Sequence, residues 1–482
     1  MKCGFGKTEL KGVFREEWEY GTPLYCRILY LEQRGKRALV FAFDLAGTFH
    51  TEVRRFIKEI SRITGVPENS VWYHELQIHA TVGGDVMCGG AMDKLISRCA
   101  KEAQSVIARA EECECFACDA DMGCDYTMNR EQYVDGIGGV TVWRGLRFDE
   151  NGVPFTRDKG VMLLRGYEKY MPEIRENVYF DNAVDQKAYL FVFKNKSGNV
   201  TGSVSRFAAH PDVAVLFEHS ENPDRLKEYR YDYDWPGYMS EMLEEKLGGT
   251  SIYLNGPCAD LAVKKDCVSK GTYAASAAEC RRIASLIGER LLADHNAHAF
   301  RVDTEEIFDT ATFEIYLPMK DDFPHSYAEA RESAARVEKA QRALDKAVEE
   351  NRPASEIKRL VDERWRAGHL GSMVFCSGGY TEEELASRLV PVQVTALRFG
   401  GYLFVGLPGE SLVDMTLWLR SEFTGEKTIP VDQVNGYYNY LATPRSLTLG
   451  GYTYWASFVS RNAIPKLKRE LYVKLKDFLG KK

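Results

Sequence analysis

Apolar residues recur at helical spacing over residues 49–64, where Phe49, Val53, Phe56, Ile57, Ile60 and Ile63 fall on one face. Just upstream, residues 24–31 and 37–44 are short apolar runs that predict a pair of strands. The order strand then helix returns at 70–79, opened by Val71, Trp72 and Tyr73, and at a helix over 91–111. Residues 200–205 read as a further strand, and regular pairing stops at Pro211, which has no N–H to offer a ladder. Residues 403–407 form an apolar strand that breaks at Pro408-Gly409. The chain then passes straight to Glu410 and a helix with Leu412, Met415, Leu419 and Phe423 on one side. Alternation of this kind predicts an α/β fold with mixed α+β layers. No Pro/Ser/Gly-rich linker divides the chain, so one large domain over 1–482 is expected.

Residues 327–366 depart from the alternation. They are rich in Ala, Glu, Lys, Arg and Leu, and Asn351-Arg352-Pro353-Ala354-Ser355 breaks them into two helices. A helical-hairpin insertion covering one side of the domain is expected, with a lid or a dimer face as its further possible use. Cys113, Cys115, Cys118 and Cys124 are the densest cysteines. They lack the paired Cys-x-x-Cys spacing of a zinc site. Glu112 to Phe116 also alternates as a half-buried strand does, so cysteine as a small apolar residue is the favoured reading.

Composition narrows the function classes. The 482 residues are 45% hydrophobic and 28% charged, as expected of a globular protein with a large core. A net charge of -7 without a basic stripe argues against nucleic acid as partner. No apolar run approaches the roughly 18 residues of a membrane span. The first residues lack the apolar core of an export signal, and 12 cysteines fit reduced thiols. A cytoplasmic protein is expected.

The candidate chemistry lies where strands give out. Glu410 follows the strand at 403–407, His210 follows the strand at 200–205, and tyrosines crowd Gly436-Tyr437-Tyr438-Asn439-Tyr440 and Gly450-Gly451-Tyr452. Such N and O donors suit zinc. The run His74-Glu75-Leu76-Gln77-Ile78-His79 is not a zincin motif, because its histidines are five apart rather than four. On a strand, residues 74 and 79 would face apart while Gln77 and His79 would share a face. Cys3-Gly4-Phe5-Gly6-Lys7-Thr8 lacks the preceding strand and first glycine of a phosphate loop, and Gly136-Ile137-Gly138-Gly139 reads as a turn.

These segments, taken in order, resemble the catalytic N-terminal domain of the neutral, non-lysosomal ceramidase family. The opening Cys3-Gly4-Phe5-Gly6-Lys7-Thr8, the run Ile60 to Asn69, Asp234-Trp235-Pro236-Gly237-Tyr238 and Leu254-Asn255-Gly256-Pro257-Cys258-Ala259-Asp260 complete the likeness. The resemblance implies a single ceramidase-like catalytic domain, without the family's C-terminal immunoglobulin-like domain. It implies zinc, or another divalent metal, held by His210, Glu410 and Tyr440. It further implies Arg130 and Tyr452 as the groups that hold the scissile carbonyl, and His79 as the proton shuttle. One position departs from the pattern: where the family has a histidine ligand, this chain has Gln77, whose amide oxygen is a weaker ligand than imidazole.

The activity so implied is metal-dependent hydrolysis of an amide. Its substrate is expected to be a small intracellular N-acyl or peptide-like compound, possibly lipid-like, rather than ceramide. The alternative is a metal-poor, catalytically weak binding or scaffold protein on the same fold, which Gln77 motivates.

Overall fold

The computed structural model describes residues 1–14, 19–134, 137–141, 178–179, 183–214, 230–264, 272–304 and 307–480. Its largest sheet runs, in spatial order, through Thr250–Asn255, Val200–Phe207, Lys187–Asn195, Glu111–Asp121, Lys2–Glu9, Tyr25–Gln33, Lys36–Phe43 and Val71–Glu75. Phe300–Val302 pairs as a ninth strand on Glu111–Asp121. A second sheet has four strands in the order Phe308–Pro318, Leu389–Phe399, Tyr402–Gly406 and Lys427–Val431.

The two sheets pack face to face. Leu29, Val40, Trp72, Phe191 and Ile252 of the large sheet share one core with Leu397, Phe404 and Ile429 of the small one. Helices cover the outer faces. His50–Thr64 and Gly90–Ala108 help to bury the other side of the large sheet, and Ala463–Gly480 lies over the small sheet. The expected mixture of α and β layers is therefore what the chain adopts. Among the described residues no helix is long and apolar enough to cross a membrane.

Most neighbouring strands in these sheets are antiparallel, but three pairs are parallel, and each encloses a helix. Lys36–Phe43 pairs with Val71–Glu75 around His50–Thr64. Val200–Phe207 pairs with Thr250–Asn255 around Asp234–Leu247. Tyr402–Gly406 pairs with Lys427–Val431 around Val413–Glu422. Parallel strands need such a crossover, and ligands in open α/β sheets gather beyond their carboxyl ends. Gln77, His79, His210, Cys258, Glu410 and Asp432 all follow the carboxyl end of one of these strands.

Several expectations shift. The helix at 49–64 forms as His50–Thr64, buries Val53, Phe56, Ile57 and Ile60, and closes on left-handed Gly65. The helix at 91–111 is Gly90–Ala108, cut short because Glu111–Asp121 begins a long strand. The strand expected over 70–79 ends at Glu75. Gln77 has φ +60°, a left-handed conformation that a strand cannot contain, so Gln77 and His79 do not share a strand face.

The helical region extends beyond 366, as Tyr327–Arg331, Ser333–Glu349 and Ala354–Ser372, followed by a π-helical turn at Met373–Ser377. Cys113 and Cys115 point to one face of their strand, whereas Cys118 is buried on the opposite face and Cys124 is exposed beyond it. They share no common ligand point. In the turn expected at 136–139, Ile137 N donates to Val134 O and the strand Gly138–Thr141 follows, while Gly136 lies outside the described residues. Cys3 to Thr8 belongs to the strand Lys2–Glu9.

Candidate metal centre

His210 is placed by short-range chemistry. Its strand ends at Phe207, its N–H donates 3.0 Å to Leu261 O, and its Nδ1 lies 2.8 Å from Cys258 O. A carbonyl only accepts, so Nδ1 carries the proton and Nε2 keeps its lone pair. That lone pair faces Glu410 Oε2 at 3.7 Å. Both residues are buried, and among the described residues neither atom has a hydrogen-bond partner. The imidazole is neutral, because burial first, and then the Arg130 charge, holds its pKa well below the usual value.

Glu410 arrives from the other sheet, through the Pro408-Gly409 turn. Its two-residue strand Glu410–Ser411 runs parallel to Tyr440–Leu441. Tyr437 donates to Oε1 over 2.6 Å. Burial raises the Glu410 pKa. Tyr437, Tyr440 and Gln77 beside the carboxylate, together with the Arg130 charge, work against that rise. Arg130 is buried and donates 3.0 Å to the Tyr440 hydroxyl and also to Ala259 O. Burial opposes its charge, but Tyr440, Asp212 and Glu410 hold the guanidinium protonated. The Tyr440 phenol, desolvated and beside the Glu410 charge, is pushed well above its ordinary pKa.

The remaining candidates rim this centre. The rings of His79 and His210 lie 5.1 Å apart, and Tyr452 meets Tyr440 edge-on at 5.3 Å. His79 Nδ1 is 3.0 Å from Gln77 O, so its proton is committed there and Nε2 is the basic end. Gln77 Oε1 is 3.6 Å from Cys258 Sγ. His79, Gln77, Arg130, His210, Glu410, Tyr440 and Tyr452 therefore form one connected cluster.

Three participants were not singled out from sequence: Tyr437 on Glu410, Cys258 on Gln77 and His210, and His369, whose ring is 5.6 Å from Tyr452. Tyr437 was visible within the tyrosine run. Cys258 lay within the segment Leu254 to Asp260 with no role given to it, and nothing in the sequence marked His369.

A neutral imidazole lone pair opposite a buried carboxylate oxygen is unfavourable unless a proton or a metal cation lies between them. His210 Nε2, Glu410 Oε2 and the Tyr440 phenol are donors of the kinds that zinc takes. Among the described residues no three His, Cys, Asp or Glu side chains form a metal-holding group, so such a site depends on the phenol.

At the level of sequence the chain matches no family model and no curated protein. Its fold is similar to that of neutral ceramidase from Pseudomonas aeruginosa, with TM-score 0.61 and 12% identity over 98% of this chain and 73% of that one. It is equally similar to a ceramidase complexed with C2, with TM-score 0.60 and 12% identity over 98% of this chain and 74% of that one. At that identity the likeness defines a ceramidase-like fold.

Proposed function

We propose that this chain is a metal-dependent hydrolase of an amide bond. The observation that carries the reading is the buried, unpartnered pair of His210 Nε2 and Glu410 Oε2, 3.7 Å apart. The ceramidase names of its fold neighbours support an amide as the bond cleaved. The substrate we assign is a small N-acyl or peptide-like compound of the cytoplasm.

His210, Glu410 and Tyr440 would hold the metal. A bound divalent ion supplies Lewis-acid polarisation of the carbonyl and acidifies water. The chain's own groups do the rest. Arg130, fixed on the Tyr440 oxygen, keeps positive charge beside the reacting carbonyl, and the Tyr452 hydroxyl donates to the oxygen as it becomes negative. His79 Nε2, basic because Nδ1 is bound to Gln77 O, takes a proton from the attacking water and returns it to the departing amine.

The test is elemental analysis of protein purified without added metal, followed by a panel of acyl amides before and after chelation. One equivalent of metal and chelator-sensitive amide cleavage are expected. Protein with no metal and no affinity for zinc overturns the proposal in favour of a metal-poor binding protein, the reading that Gln77 favours. Release of fatty acid from short-chain ceramide, with no turnover of polar acyl amines, overturns the substrate assignment alone.

A further inference from the structure

Asp260 lies beside the centre with no part in the proposed mechanism. It is 4% exposed, and its side chain bridges two elements of the site. Oδ1 accepts from Val413 N at 2.8 Å, and Oδ2 accepts from Asn129 Nδ2 at 2.9 Å. Its main-chain carbonyl accepts from Arg130 N at 2.6 Å. Val413 opens the helix that follows Glu410, and that helix has no side-chain cap from its own first residues. Asp260 caps it from 153 residues away.

Asn129 is equally committed. Its Nδ2 faces two acceptors, Asp260 Oδ2 and Ala183 O, each at 2.9 Å, and its Oδ1 accepts from Glu131 N at 2.9 Å. Those partners fix which end of the amide is oxygen. The strand Thr127–Asn129 pairs antiparallel with Leu261–Val263, which begins directly after Asp260. Successive side chains of an extended segment face apart. Asn129 accordingly turns to Asp260, while Arg130 turns to the Tyr440 hydroxyl and Ala259 O. A helix cap would need only one oxygen of Asp260. The other oxygen and the main-chain carbonyl both go to the segment that carries Arg130.

We infer that Asp260 is a positioning residue: with Asn129 it docks the Arg130 segment on the helix behind Glu410, and so sets where the guanidinium stands. The inference rests on the amide-hydrolase reading, in which Arg130 keeps positive charge beside the reacting carbonyl. The far end of Arg130 is held by Tyr440 and Ala259 O, and the near end by Asp260. A shift of about 1 Å in a group that stabilises a transition state costs on the order of 10²-fold in rate.

Two readouts on the full chain test this. Backbone hydrogen exchange followed by mass spectrometry reports on the docking without any substrate. Asp260→Ala should exchange roughly tenfold faster in both 127–131 and 411–416. Asp260→Asn sets NH2 against NH2 at Asn129 and should loosen 127–131 as well. Adding Asn129→Asp exchanges donor and acceptor and should restore the protection there. In steady-state kinetics Asp260→Ala should lower kcat by on the order of 10²-fold, with KM and bound metal unchanged. In an Arg130→Ala background it should cost nothing further, since the group it positions is gone.

Faster exchange in 411–416 alone makes Asp260 a helix cap and nothing more, which overturns the inference. So does a loss of rate that multiplies with that of Arg130→Ala. An Asn129→Asp, Asp260→Asn pair that exchanges as fast as Asp260→Asn alone overturns it too. If the unaltered protein cleaves no amide, the proposed function fails, while the exchange measurements still decide whether Asp260 docks the Arg130 segment.

Discussion

A histidine whose Nδ1 proton is given to a carbonyl can do little with Nε2 except accept a proton or bind a cation. At His210 a proton is disfavoured by burial and by Arg130, which leaves the cation. His210→Ala and Glu410→Ala should therefore each purify without metal, as elemental analysis would show. Each should also lose activity with it. Tyr452→Phe removes only a hydroxyl at the rim, so it should retain metal and lose about 10²- to 10³-fold in kcat, the usual cost of one oxyanion donor. Loss of metal in Tyr452→Phe would mean that the two tyrosines exchange roles. At this scale the sequence was legible where punctuation marked it: Pro408-Gly409 follows the strand before Glu410, and Pro211 lies just beyond the end of the strand that leads to His210. Gln77 was misplaced on a strand because glutamine carries no signal for a left-handed backbone. The contact of Cys258 with Gln77 was invisible because the two are 181 residues apart.

Among the elements, the loops beyond the parallel strands decide where the ligands stand, and two positions make this measurable. Gly406 is the last residue of its strand, and a Cβ there would lie 2.2 Å from Thr395 Oγ1 and 2.8 Å from Val434. Gly406→Ala should cost about 1 to 3 kcal/mol in denaturant unfolding, as overpacking does, and should weaken metal retention because Glu410 follows four residues later.

Asp234 holds the loop after His210, accepting from Val213 N at 2.8 Å and Ala214 N at 2.7 Å. Burial raises its pKa to about 7. The folded protein thus keeps a proton that the unfolded chain has already released, so stability falls as pH rises from about 4 to about 7. Asp232 adds to the trend, its pKa raised by burial to about 6. Asp234→Asn cannot titrate, so in metal-free protein its unfolding free energy should decline less between pH 4.5 and 7.5. The difference is bounded by about 4 kcal/mol for a shift of this size. An unchanged slope would show that Asp234 does not titrate in that window.

For the whole molecule, local pattern foretold the layers but not how they meet. The periodicity of 49–64 and of 403–423 is complete within each segment. The packing of Trp72 and Phe191 against Phe404 and Ile429 depends on partners hundreds of residues apart. Beside their shared apolar core, the two sheets are tied together by buried charge. Arg206, on the strand that leads to His210, bonds Asp185 and donates 3.0 Å to Pro430 O in the small sheet. Arg420, on the helix that follows Glu410, donates 2.5 Å to the other oxygen of the same Asp185. Asp185 and Arg206 are fully buried, and the two guanidiniums hold the Asp185 pKa below its usual value in spite of that burial. Removing the shared acceptor would leave two inward-facing cations uncompensated, which costs far more than the pair itself contributes. Asp185→Ala should therefore lower the unfolding free energy by about 3 to 5 kcal/mol. Because the carboxylate ties the His210 strand to the Glu410 helix, the same variant should lose zinc affinity although it touches neither ligand. Measured under conditions where the variant remains folded, an unchanged affinity would mean that the cluster holds its own geometry and that the sheets need no such clamp.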